Sequence, residues 1–343
     1  MSIRSRFSSR LSGFFIALGA PFLLAAGVLA WLGYDPRAAL AAMLRGTAGS
    51  WDAFLSVTLV RACPLLLTGL GVAVAFRAGV FNIGADGQFY LGAIAAAGLG
   101  THAANLGLLG APLLLLAAAF AGGAWAGVAA LLRQRFRVPE VISTLMLNFI
   151  AELLVGYAVH GPLMEARGTY PQTDPVPVSA RLPHLFPPSR LHAGVLLALL
   201  LAPLLWWLIR TTVFGYRLRV AGHNPIAARS AGRFDAGRIQ SQAFLLSGAL
   251  AGLAGGIEVL GLTYALYEKF SPGYGYTAIA VALLARLHPL AVIGSALFFG
   301  ILEGGASAMQ RESGIPAVLV YSVEALLILG VLLSERLLRK EPA

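Results

Sequence analysis

Residues 76–90 read FRAGVFNIGADGQFY, a run of glycines with an Asn, an Asp and a Gln set between two long apolar stretches. The question it poses is why so oily a chain breaks its own pattern there. Of the 343 residues 58% are hydrophobic and only 12% charged, with a mean hydropathy of +0.78, far outside the soluble range. The chain is an integral membrane protein. A net charge of +10 suggests nucleic acid in a soluble chain, but in a membrane protein basic residues mark cytoplasmic loops, so no nucleic-acid partner is expected.

A bilayer core takes about 20 apolar residues per helical span. Ten runs qualify, near 11–33, 53–76, 84–104, 106–131, 138–160, 191–209, 241–265, 274–286, 290–309 and 316–333. The basic start Met1–Arg10 and the apolar run behind it form a first span, too long for a signal peptide and lacking a good cleavage site. The eighth run is too short to cross unless irregular backbone continues it. An even number places both termini on one side, and putting them in the cytoplasm assigns most Lys and Arg to inner segments.

Absences narrow the function. The only lysines are Lys269 and Lys340, neither behind a glycine, so no GxxxxGK[ST] phosphate loop exists. HExxH and GxSxG are missing, the six His are scattered, and Cys63 is the single cysteine, so neither a metal site nor a disulfide framework is expected.

Within the spans, Glu140, Thr144, Asn148 and Glu152 recur every four residues and share a drifting sector of one helix face. Facing lipid, that stripe would be costly, so it faces protein or water. Glu303, Ser307 and Gln310 form a second sector, while Glu258 and Glu324 stand alone in apolar runs. Each carboxylate is either a functional group or a structural helix-to-helix hydrogen bond. Gly248, Gly252 and Gly256 form a GxxxG ridge, which signals close helix packing. No Lys lies in a span, and Arg is expected only in loops and at span ends.

The outer loop 161–190 carries seven prolines, which resist helix and favour an extended surface, either a plain connector or a docking face. The inner loop 210–240 is basic and holds one short helix signal, with Asn224 as N-cap, Pro225 at the first helical position and Gly232 past the end. Such a helix suits either a protein partner or lipid headgroups.

The opening stretch now has a place. After Phe76 the chain turns back into the membrane through RAGVFNIGADGQ, and FSPGYGYTAIAVALLA at 270–285 has the same outline on the opposite side. Spans two to five and seven to ten then read as repeats of opposite orientation, with a site built from broken helices between them.

FNIGADGQFYLGA, VPEVISTLMLNFI, GHNPIAARSAG, SGALAGLAGGIEVLG and GYGYTAIAVALLARLHPLAVIGSALFFG, in that order along the chain, resemble the permease subunit of bacterial ABC importers of the ribose and nucleoside branch, specifically the nucleoside type. Departures from the pattern are Asp86 for a common Glu, Ala285 for a common Gly and Glu324 for an expected Gln. The resemblance implies an all-α permease in the bacterial inner membrane, forming a heterodimer with a related permease or a homodimer. It further implies two cytosolic ATPase subunits, which hold the ATP and Mg that this chain does not bind, and an external substrate-binding lipoprotein.

The expected organisation is one permease domain, 1–343: a first span and outer segment (1–52), a first repeat (53–160), the outer loop, span six with the coupling loop (191–240), a second repeat (241–333) and a cytoplasmic tail (334–343). Expected pathway residues are Asn82, Asp86, Gln88, Glu140, Thr144, Asn148 and Tyr274. Gly222, Asn224, Ala228, Arg229 and Gly232 are expected to couple to the ATPase. Phe81, Phe89 and Tyr274 lie beside the broken-helix starts, where they offer faces for stacking a base. A ribose or other simple-sugar permease, a proton-coupled secondary carrier and, further off, an intramembrane enzyme are the alternatives.

Overall fold

A computed structural model describes residues 19, 22–224 and 235–316, together with 318, 319, 322, 325, 326 and 329. The described residues are helical with irregular connections, and no strand forms among them beyond isolated bridges at Gln172 with Tyr267 and His184 with His192. In chain order the helices are α1 (Phe22–Trp31), α2 (Pro36–Thr47), α3 (Trp51–Arg77), α4 (Ala85–Gly100), α5 (Gly110–Phe136), α6 (Glu140–His160), α7 (Ala193–Thr211), α8 (Val213–His223), α9 (Ala236–Thr263), α10 (Tyr274–Leu284) and α11 (Pro289–Ser313). Six helical stretches, α3, Asn105–Phe136, α6, α7, α9 and α11, are long and apolar enough to cross a membrane. The run near 11–33 is described mainly from residue 22 onward, and the run near 316–333 falls largely outside the described residues.

Residues Leu59–Phe299 form one compact unit, and the described residues before and after it form a second. In the second unit, Arg45 pairs with Glu312 at 2.8 Å, and a side chain at Gly46 would run into Ala308. The larger unit holds every expected site residue that the structure describes.

Its centre is α9, packed on α3, α4 and α5. Within their most apolar stretches, about four-fifths of the residues of α3 and α9 are buried (83% and 78%), whereas one-third are in Asn105–Phe136 and α7 (33% each), which separates central from peripheral helices. The GxxxG ridge is the reason α9 can be central. A Cβ at Gly252 would stand 2.3 Å from the Ala118 carbonyl oxygen and 2.8 Å from Gly122 Cα, and one at Gly248 would stand 2.5 Å from the Gly122 oxygen. Backbone lies against backbone there, which only small residues permit.

One stretch differs from the sequence expectation. Residues 213–223, read as loop, form helix α8: Thr212 accepts a hydrogen bond from the Gly215 amide at 3.1 Å, a side-chain N-cap, and Leu218 and Ala221 are buried. The coupling helix expected after Asn224 lies at 225–234, outside the described residues. The proline-rich segment 161–190 is irregular as expected, and its backbone is satisfied by the end of α9 and the turn after it. Thr173, Val176 and Leu182 amides donate to the carbonyls of Leu266, Tyr264 and Leu260 at 2.8–2.9 Å.

Candidate functional site

Helices α4 and α10 begin inside the larger unit, so their first amides lack intrahelical partners. In a membrane such groups must find protein acceptors. Neither helix is capped by the residue at its own N-cap position, since both positions are glycine, Gly84 and Gly273. Acceptors arrive from elsewhere in the fold.

For α4 the acceptor is Asn148 of α6. Its Oδ1 takes the Gly87 amide at 2.8 Å, while its Nδ2 donates to the Ile83 carbonyl at 2.9 Å and to the Tyr276 hydroxyl at 3.1 Å. The approach is close because position 87 is glycine: a Cβ there would stand 2.9 Å from Asn148 Oδ1. For α10 the acceptor is Asp86 of α4, whose Oδ1 takes the Gly275 amide at 3.0 Å and the Ser271 hydroxyl at 2.9 Å. Ser271 Oγ in turn accepts from the Gly273 and Tyr274 amides. Glycine is again required, since a Cβ at 275 would stand 2.0 Å from the Asp86 nitrogen. The two broken helix starts of the sequence therefore meet, and one caps the other.

The turn before α4 is held by a reciprocal amide pair. Asn82 Nδ2 donates to Gln88 Oε1 and to Ser247 Oγ, each at 2.9 Å, and Asn82 Oδ1 accepts from Gln88 Nε2 and the Gly84 amide, each at 3.0 Å. With four hydrogen bonds, Asn82 has used its amide's capacity. Asn82, Asp86, Gln88 and Asn148 are all buried, so in this structure they latch the broken helices.

Thr144 is buried, donates to the Glu140 carbonyl at 2.6 Å and lies beside Gly84. Glu140 stands apart, at the start of α6, in an ion pair with Arg133 at 3.2 Å. Arg133 also donates to Gln240, whose amide donates to the Ala78 carbonyl in the turn after α3. The same turn receives α8: a Cβ at Gly222 would stand 2.0 Å from the Arg77 oxygen. Of the other expected coupling residues, Asn224 ends the described stretch, and Ala228, Arg229 and Gly232 lie outside it.

Tyr274 is buried, its ring edge-on to Phe89 with centroids 5.6 Å apart. Its hydroxyl accepts from Arg61 at 3.3 Å. Arg61 corrects the expectation that arginine is confined to loops and span ends, because it lies well within α3. The charges of Arg61 and Glu258 act on one another. A lone Arg inside an apolar run was the available signal, and it points to a partner carboxylate. Phe81, Tyr276 and Tyr267 present aromatic faces around these starts, being 54%, 41% and 39% exposed.

At the N-cap position of α7, His192 is fully buried with both ring nitrogens lacking a partner among the described residues. Burial, then the nearby His184, lowers its pKa to about 4. No group of three or more His, Cys, Asp or Glu among the described residues could hold a metal ion.

Residues 54–332 match the family described as branched-chain amino acid transport system / permease component. The glucose ABC transporter permease protein TsgB13 of Haloferax volcanii is 37% identical over 93% of this chain and 88% of its own. The guanosine ABC transporter permease proteins NupP and NupQ of Bacillus subtilis are 38% identical over 94% of both chains and 30% identical over 72% of this chain and 79% of NupQ. With this match over most of its length, the chain belongs to this family of multi-pass ABC transporter permeases.

Proposed function

We propose that the chain supplies part of the pathway of an ATP-driven importer of nucleosides, without catalysis of its own. The aromatic faces of Phe81, Tyr276 and Tyr267 around the converging helix starts carry this reading, since a planar base stacks on such faces. Two guanosine permeases among the relatives support it. The glucose permease at 37% identity favours sugar as the second reading. Cells carrying the complete system should accumulate radiolabelled guanosine, with competition from other nucleosides. Accumulation of glucose without guanosine would replace the nucleoside reading by the sugar one.

In the proposed arrangement 53–160 and 241–333 are inverted repeats within a ten-helix chain, joined through the outer loop 161–190 and the segment 191–240. The meeting of the two broken starts, where Asp86 of α4 caps α10, supports that symmetry. Both termini lie on the cytoplasmic side of a bacterial inner membrane. NupP and NupQ, two guanosine permeases of one organism, support pairing with a second, related permease. ATP and Mg belong to cytosolic ATPase partners, which the segment Gly222–Gly232 contacts, and a binding lipoprotein delivers solute from outside.

A further inference from the structure

Arg61 lies inside the apolar run of α3, away from either end of the helix. A charge at that depth is costly and is expected to mark a functional position with a named partner. Tyr274, buried at the start of α10, accepts a hydrogen bond from its guanidinium, and the buried Glu258 of α9 lies within electrostatic reach of it. Tyr267 feels both charges. Its ring is edge-on to Phe270 at 5.5 Å, and Phe270 in turn lies 5.6 Å from Phe89. Arg61 and Tyr267 remain partly exposed, whereas Glu258, Phe270, Phe89 and Tyr274 are buried behind them. Tyr267 also bridges to Gln172 of the proline-rich segment, which fixes the side of the molecule that this cluster occupies.

A fixed guanidinium offers a fork of donors that matches two adjacent acceptors, and a neighbouring ring offers a face. We propose that Arg61 and Tyr267 form a waypoint of the pathway on the outer side, taking a neutral ring solute that presents adjacent acceptor atoms. This inference rests on the permease reading above and adds a specificity residue to it. The solute class is set by chemistry: a purine edge or neighbouring sugar hydroxyls present such acceptors to the fork.

The test uses the complete importer in proteoliposomes and whichever solute the unmodified system takes up, so that a failure of guanosine uptake leaves it intact. Arg61→Gln should lower uptake at saturating solute by about tenfold or more with the amount of assembled complex unchanged, while Arg61→Lys retains more. Uptake at the unmodified level in Arg61→Gln overturns the proposal. If Arg61→Gln fails to assemble, the charge-neutral pair Arg61→Gln with Glu258→Gln decides. Low uptake in the assembled pair supports the waypoint, and restored uptake makes the two charges a structural balance only. If that pair also fails, Tyr267→Cys in a Cys63→Ala background decides. An impermeant thiol reagent added on the side of the binding lipoprotein should react there and block uptake, and saturating solute should slow the reaction. An unreactive cysteine, or a modified one with normal uptake, overturns the proposal.

Discussion

Replacing Asn148 by Leu keeps the forked shape of the side chain and removes all three of its hydrogen bonds. The Gly87 amide and the Ile83 carbonyl then lose their Asn148 partner. A buried group left unsatisfied costs about 1–3 kcal/mol, whereas hydrogen bonds between membrane helices average only about 0.6 kcal/mol in double-mutant cycles. Two orphaned backbone groups, both at the start of a broken helix with no alternative acceptor at its own N-cap, place the expected loss at about 2–4 kcal/mol. Reversible unfolding in mixed detergent micelles reads this directly. Tyr276→Phe supplies an internal control, because its hydroxyl accepts from Asn148 at 3.1 Å. Tyr276→Phe should be destabilising alone and nearly neutral in the Asn148→Leu background, a coupling of about 0.5–1 kcal/mol. Transport should fall further than stability, since the start of α4 is released. A loss below about 0.5 kcal/mol in Asn148→Leu, or strict additivity with Tyr276→Phe, would refute the latch.

Gly252→Ala should destabilise by about 1–3 kcal/mol, because the new methyl meets backbone of Ala118 and Gly122 and has no flexible side chain to displace; unchanged unfolding would remove the ridge from the account. The lowered pKa of His192 means that the unfolded chain binds the proton first, so its stabilising contribution is present above about pH 6.5 and is lost as pH falls toward about 4. Between pH 7 and pH 5 that amounts to about 2 kcal/mol, and His192→Phe should flatten the pH dependence of unfolding by that much. Ala228→Trp and Arg229→Glu should leave the complex assembled yet separate ATP hydrolysis from uptake; normal transport in both would make that segment a headgroup anchor.

What the sequence made legible was backbone that breaks a pattern. Gly79, Gly84 and Gly87 in one apolar stretch, and Gly273 and Gly275 in another, announce broken helices, and the structure brings these two starts together through Asp86 and Gly275. Gly248, Gly252 and Gly256 announced close packing by their spacing alone. Partners distant in sequence were not legible. Asn82 and Gln88 are six residues apart across a turn, so no helical face joins them, and their amide pair appears only once the turn is built. Arg61 and Tyr274 come from different repeats of the proposed symmetry. Helix α8 was hidden by its basic residues and Gly215, which resemble a loop, although Thr212 ahead of Val213 was a usable capping signal.

The central claim is that transport depends on the junction of the two broken helices, and Asp86 is the residue that joins them. Both hydrogen bonds at that junction need only an acceptor at Oδ1, which Asn supplies and Leu does not. Guanosine uptake by the complete importer, measured beside the amount of assembled complex, should therefore persist at a substantial fraction in Asp86→Asn and be lost in Asp86→Leu. Full uptake in Asp86→Leu, or equal loss in both variants, would contradict the account.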